Sequence, residues 1–323
     1  MPKRVLLTGA SGFVGANLAR RLIAGGHDVR LLLRPKHNPW RLAGIDPASF
    51  VIAELADFDA VRRAVESTRP EWVFHLAAHG AYPAQRSWDE MLDTNVTGTV
   101  NLVRATLELG VESFVHTGSS SEYGFKDHAP AEDEAVEPNS DYAVAKATAT
   151  LYCSFMARAH RARIRTLRLY SVFGPWEEAA RLVPTLIVHG LRRRLPPLAS
   201  PRVARDFVFV DDVCDAYLAT AADDRAAGDA VFNVGTGVQT DLASVVGLTS
   251  RLLGVDEEPA WGSMPDRSWD TTCWVADTRK IRRELGWAPR HSLESGLEAT
   301  IAWLRSDPSV LARYEGAALR TRS

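Results

Sequence analysis

A chain of 323 residues, 46% hydrophobic and 24% charged with a net charge of −2, suits one large α/β unit or two intimate domains. The near-neutral balance excludes the basic excess of a nucleic-acid binder, and Arg192-Arg193-Arg194 reads as a solvated loop or helix end. No apolar run reaches the ~18 residues that cross a membrane, and Val5-Leu6-Leu7 is too short for a secretory segment. Cys153, Cys214 and Cys273 are odd in number and far apart, which implies neither a disulfide framework nor a metal site. A cytoplasmic, reducing location is the expectation.

Arg4 to Thr8 reads as a short buried strand. Gly9, Gly12 and Gly15 follow, and Phe13, Val14, Leu18, Leu22 and Ile23 then share one helical face as far as Gly25-Gly26. Strand, glycine turn and helix in this order form a dinucleotide site. The missing Cβ atoms admit a pyrophosphate, and the helix N-terminus offers it N–H groups and a partial positive charge. Gly9, Ser11, Gly12, Phe13, Val14 and Gly15 are therefore cofactor-binding candidates. His27 to Leu33 is the second strand, ending in Leu33-Arg34. A cofactor with a free 2′-hydroxyl usually meets Asp or Glu there; Arg34 suits a 2′-phosphate instead, which favours NADP over NAD. Val51 to Ala53 is the third strand, with Glu54 and Leu55 at its end where an adenine would lie. Trp72 to Leu76 is the fourth, and the small Ala77 and Ala78 at its exit leave room for the cofactor beside Leu76. His75 reads as a packed strand residue. Trp88 to Leu109 reads as one long helix containing Asn95, a further cofactor-side candidate. Ser113 to Thr117 is the fifth strand and opens into Gly118-Ser119-Ser120-Ser121-Glu122-Tyr123. This alternation implies a Rossmann-like, doubly wound parallel sheet with right-handed crossovers and ligands at the strands' carboxyl ends.

Pro138 breaks the chain, and Asn139, Ser140 or Asp141 can cap the helix that carries Tyr142 and Lys146. Four residues apart, the phenol and the ammonium lie on one helical face. An isolated tyrosine titrates near pH ~10. A fixed cation beside it is expected to favour the phenolate and make proton exchange feasible. Ile164 to Leu169 is a sixth strand. Past Gly174-Pro175 the alternation weakens, and Pro184, Pro196, Pro197 and Pro201 divide the chain into short pieces. Arg205 to Val210 reads as a strand and Asp211-Asp212 as the cap of the next helix. Phe232 to Gly235 ends another strand. Leu242 to Leu253 and Leu293 to Leu304 read as amphipathic helices, and the end from Tyr314 as frayed. Residues 1–175 are expected to form the cofactor domain. Residues 176–323 are expected to be mainly a smaller C-terminal substrate-binding lobe, with some segments returning to the first domain.

Several motifs occur in order across most of the chain. They are Thr8 to Gly15 as T-G-x-x-G-x-x-G, His75-Leu76-Ala77-Ala78, the serine-rich exit of the fifth strand, and Tyr142-x-x-x-Lys146. Arg205-Asp206-Phe207, Asn233-Val234-Gly235, Arg267-x-x-Asp270 and Glu284-Leu285-Gly286-Trp287-x-Pro289 follow. With these the chain resembles an extended short-chain dehydrogenase/reductase of the nucleotide-sugar epimerase, dehydratase and reductase group. The resemblance implies Tyr142 as acid/base on a sugar oxygen, Ser119 as a hydrogen-bond partner of that oxygen, and Lys146 as holder of the nicotinamide ribose. It implies Arg205 and Arg267 as a clamp on the sugar diphosphate, since both cations suit bidentate phosphate contact. Ser120, Ser121, Arg181 and Asp270 are further substrate-side candidates. It also implies a homodimer through the helices around Trp88–Leu109 and Tyr142–His160.

Three departures shape the functional expectation. No acid ends the second strand, Ser171 stands where the family has Asn, and Ser120 and Ser121 stand where 4,6-dehydratases place an acid, with Glu122 one residue late. Dehydration therefore ranks last, because it lacks a second acid/base pair. Reduction of a 4-keto nucleotide sugar by NADPH is the first expectation, and 4-epimerisation with retained NAD the alternative. Cofactor binding without turnover is disfavoured, since both Tyr142 and Lys146 are kept.

Overall fold

The computed structural model describes residues 1–323 except 83–84, 86, 226–229, 265–270 and 321–323, and of 318–320 the backbone alone. Arg267 and Asp270 thus lie outside the described residues. Short runs of Val, Leu, Ile and Phe, buried on both faces, make parallel strands. Six come early: β1 (Arg4–Thr8), β2 (Asp28–Leu33), β3 (Phe50–Ile52), β4 (Trp72–His75), β5 (Ser113–Ser119) and β6 (Ile164–Leu169). β7 (Ser171–Phe173), β8 (Ala204–Arg205) and β9 (Phe207–Phe209) lie outside that sheet, while β10 (Ala230–Val234) returns to it; β11 (Thr240–Asp241) is short. The seven-stranded sheet runs β10-β6-β5-β4-β1-β2-β3 with every pairing parallel. This is the expected doubly wound, Rossmann-like α/β architecture.

The two-residue period of the strands sorts the core into two layers. Val5, Leu7, Leu31 and Phe74 face one side and Leu6, Leu32 and Val73 the other. α1 (Phe13–Ala24) covers the first side. α2 (Phe58–Thr68) covers the second, and α3 (Trp88–Leu92), α4 (Gly98–Leu109) and α5 (Asp141–His160) follow it. Of the three possible caps for α5, Ser140 takes the position, its hydroxyl accepting from Ala143 N–H at 3.3 Å. Val144, Leu151 and Phe155 remain exposed along α5. α6 (Leu182–Gly190) packs on α8 (Leu242–Leu253) and α11 (Pro308–Arg320), α9 (Arg279–Leu285) on β10, α10 (Leu293–Ser306) on α11, and α7 (Val210–Ala222) on α1.

Four local expectations are corrected. The long helix from Trp88 is interrupted by a π-helical turn at Asp93–Thr97. The cause is tertiary: buried Asn95 exchanges two 2.8 Å hydrogen bonds with the backbone of His79, and the wider turn lets it reach. The strand from Arg205 breaks at Asp206, whose buried carboxylate accepts from Thr236 N–H (2.7 Å), the Thr236 hydroxyl (2.6 Å), Gly237 N–H (2.9 Å) and Ala276 N–H (3.0 Å). Neither Asp211 nor Asp212 caps α7, which starts one residue earlier. Asp212 instead receives Arg290 N–H and His291 N–H, each at 3.0 Å. Finally, Tyr314 is not frayed but buried in α11, its hydroxyl donating to Glu177 O.

Candidate active site

The glycine turn is shaped by contact. Gly9 adopts φ +77°, and a Cβ there would lie 2.5 Å from the backbone of Leu76 and Ala77 at the exit of β4. A Cβ on Gly15 would sit 2.2 Å from Gly9 O. Helix α1 begins with Gly12 as N-cap, so no side chain competes for its first N–H groups. Phe13 is buried and Ser11 and Val14 half-buried on this turn. Backbone space and helix terminus together fit a dinucleotide pyrophosphate. Arg34 is exposed just past β2 and Glu54 is exposed past β3. Leu55 is buried, its carbonyl accepting from the Asn101 amide at 2.9 Å. Ala77 N–H donates to the Thr8 hydroxyl at 3.2 Å, which fixes the β1 and β4 exits side by side. Asn95 braces the His79 backbone just past Ala78.

His75 is a packed residue with a defined tautomer. Thr99 donates its hydroxyl to Asn95 O at 2.7 Å and so accepts from His75 Nε2 at 2.9 Å. His75 Nδ1 then accepts from the Thr8 hydroxyl at 2.7 Å. Burial, and then Lys146, push the His75 pKa down to about 3, so it stays neutral.

β5 delivers Ser119 to the rim beside α5. The Ser119 hydroxyl lies 2.6 Å from that of Ser121 and also hydrogen-bonds Tyr142. Lys146, one turn further along α5 and 1% exposed, donates to Thr117 O. Burial lowers its pKa to about 8. The expected effect of Lys146 on Tyr142 is not what dominates. Burial pushes the Tyr142 pKa up to about 12, against the hydrogen bond from Ser119. Tyr142 is therefore a neutral phenol at physiological pH.

Glu122 has a role that its sequence position hides. It is fully buried and accepts Ser119 N–H (2.7 Å), the Thr150 hydroxyl (3.0 Å) and Arg168 Nε (2.9 Å). Gly118 leaves room for this: a Cβ there would meet the Glu122 carboxylate at 2.7 Å. Arg168 lies 4.4 Å from the Tyr123 ring centroid, and the Tyr123 hydroxyl donates to Asn233 at 2.8 Å. Glu122 thus anchors the backbone of Ser119 from beneath, with every charge-assisted contact committed.

Among the substrate-side candidates, Ser120 and Arg205 come together through a residue the sequence reading missed. Trp274 donates its indole N–H to the Ser120 hydroxyl at 3.2 Å, and the Arg205 guanidinium lies 5.4 Å from its ring centroid. An aromatic residue just ahead of Ala276-Asp277-Thr278 was the available signal. Nearby, Phe125, Lys126, Asp127, Thr271, Thr272 and Cys273 line an open groove of about 570 Å³. Arg181 is exposed at the N-terminus of α6, within electrostatic range of Tyr142. Among the described residues no cluster of His, Cys, Asp and Glu could hold a metal, and no helix is long and apolar enough to cross a membrane.

Residues 5–235 match the NAD dependent epimerase/dehydratase family. A UDP-glucose 4-epimerase of Mycolicibacterium smegmatis is 32% identical over 318 residues, covering 94% of this chain and 99% of the relative. A dTDP-glucose 4,6-dehydratase of Streptomyces griseus is 32% identical over 323 residues, covering 94% of each. The solved structure of MoeE5 in complex with UDP-glucose and NAD is 32% identical with a TM-score of 0.76, covering 94% of this chain and 98% of that one. With a seven-stranded parallel sheet that agrees with such structures, the chain belongs to the NAD-dependent epimerase/dehydratase family of nucleotide-sugar enzymes.

Proposed function

We propose that this protein is an NAD(P)-dependent oxidoreductase acting at C4 of a nucleotide-diphosphate sugar, as a 4-keto reductase of a nucleotide-activated deoxysugar. The observation that carries the reading is the neutral Tyr142 phenol hydrogen-bonded to Ser119. A phenol that keeps its proton is a general acid, which the reduction of a ketone to an alcohol requires. When bound, the nicotinamide cofactor supplies the hydride. Tyr142 then delivers its proton to the sugar oxygen, Ser119 steadies that oxygen, and buried Lys146 faces the nicotinamide ribose. The commitment of Glu122 to Ser119, Thr150 and Arg168 leaves no free acid in the loop, which argues against dehydration.

The end of β2 supports NADPH as the reductant. Leu33 cannot accept ribose hydroxyls, and exposed Arg34 follows it. A charge-assisted phosphate contact predicts roughly 10- to 150-fold preference for NADPH over NADH. Arg34→Ala is expected to erase most of that preference and leave NADH affinity nearly unchanged, as dissociation constants for both cofactors will measure. Tight NAD binding indifferent to Arg34 would sink the reductase reading. It would favour 4-epimerisation with retained NAD, to which the similarity to UDP-glucose 4-epimerase points.

Arg205, beside Trp274 and Ser120, is the residue we assign to the sugar diphosphate. Arg205→Ala is expected to weaken UDP-glucose or dTDP-glucose binding about tenfold or more, without changing cofactor affinity. Equal losses for both ligands would show that Arg205 acts through folding.

A further inference from the structure

The turn after β7 holds a carboxyl group that the proposed reaction does not use. Glu177 is 4% exposed, and its Oε2 has no hydrogen-bond partner among the described residues. Its backbone is fixed from several directions, so it has no easy route to water. Asn17 of α1 donates to Pro175 O at 2.9 Å, Arg41 Nε donates to Trp176 O at 2.7 Å, and Tyr314 of α11 donates to Glu177 O. Trp176 itself is held at φ +70°, in the left-handed region that a bulky residue rarely adopts. It is packed against Trp40 and Trp303 and covered by the Arg20 guanidinium at 4.2 Å. Strain kept in place by so many contacts is characteristic of functional turns.

The nearest cation is Arg181, whose Nε lies 3.9 Å from Glu177 Oε1, beyond hydrogen-bond reach, with the side chain 47% exposed. We propose that Glu177 is a latch on Arg181: the ionised carboxylate captures the guanidinium, and the neutral acid releases it to the diphosphate of the nucleotide sugar. This rests on the proposed function, and Arg181 lies within electrostatic range of Tyr142.

The surroundings set the balance. Burial raises the Glu177 pKa to about 8, opposed by Arg181, the Gly174 N–H and Arg41, and aided by Glu178. Tyr82 and Tyr314 also lie within electrostatic range. Arg41 is already committed to Glu178 at 3.0 Å, which leaves Arg181 as the cation able to respond. Below that pH the acid is neutral and Arg181 is available; above it the pair closes and substrate affinity falls.

The test is a titration of wild type, Glu177→Gln and Arg181→Ala holoenzymes with UDP and UDP-glucose between pH 6.5 and 9.5, with melting temperatures as the control for folding. Wild-type affinity is expected to fall about tenfold or more across this range, as a charge-assisted contact is withdrawn. Glu177→Gln keeps the shape without the charge and is expected to hold the low-pH affinity throughout. Arg181→Ala is expected to be weak at every pH. Lys146 also titrates near pH 8, but in all three proteins, so the difference between wild type and Glu177→Gln reads the latch. A Glu177→Gln curve that follows the wild-type curve, or that is weak at every pH while the protein remains folded, overturns the latch alone. Wild type that binds neither probe at any pH overturns the latch and the nucleotide-sugar reading together.

Discussion

Replacing Tyr142 with Phe lowers kcat by about 100- to 10,000-fold, the span expected for loss of a positioned proton donor. Cofactor affinity stays nearly unchanged, because the ring and its packing are kept. The high Tyr142 pKa gives the result a pH signature. In the direction of reduction, the wild-type rate does not depend on ionising Tyr142 anywhere near neutrality. Its alkaline decline follows other groups, with Lys146 near pH 8 the first candidate. Steady-state kinetics with a 4-keto nucleotide sugar measure both effects. Turnover like wild type in Tyr142→Phe would remove this residue from the chemistry.

Replacing Arg168 with Leu is expected to be the most damaging single change outside the reacting residues. It removes the ion-pair partner of the Glu122 carboxylate, which has no solvent exposure. Breaking such a buried pair costs about 3–5 kcal/mol. For a chain of this size that lowers the melting temperature by roughly 4–8 °C. Because Glu122 holds Ser119 N–H, kcat falls as well. Adding Glu122→Gln to Arg168→Leu removes that charge and restores part of the stability. A melting temperature unmoved by Arg168→Leu would show that water reaches the pair and that the anchor beneath Ser119 is not what holds the loop.

The elements legible in the sequence are those fixed by local chemistry. Gly9 to Gly15 is a backbone requirement, and Leu242 to Leu253 shows its helical period in the residues themselves. The strands stand out as runs buried on both faces. The parts that were not legible depend on distant partners. The π turn follows from the Asn95 bonds to His79, the break at Asp206 from Thr236, Gly237 and Ala276, and the burial of Tyr314 from Glu177. Within the candidate site, the nearness of Tyr142 and Lys146 was readable but their electrostatic balance was not. Spacing alone suggests that Lys146 controls Tyr142, whereas the depth of both side chains decides the outcome. Glu122 read as an acid out of place because its partner, Arg168, comes from a later strand.

The placement of β10 at the edge of the sheet also bears on how the protein is made. A chain leaving the ribosome completes β1 through β6 in sequence, but the last strand emerges only after β7, α6, β8, β9 and α7 have passed. Until Val234 is available, β6 is an open edge of a nascent sheet, the kind of surface on which chains mispair. That strand carries Arg165 and Arg168, and a charged edge is a poor template for a stranger. In the finished protein Arg165 is occupied by Thr220 O at 3.0 Å and Asp223 at 2.7 Å, both belonging to the segment that leads into β10. The same arginine can therefore guard the vacant edge during synthesis and later receive the strand that closes it. A polypeptide cut after residue 175 would keep the cofactor turn and lose that closure.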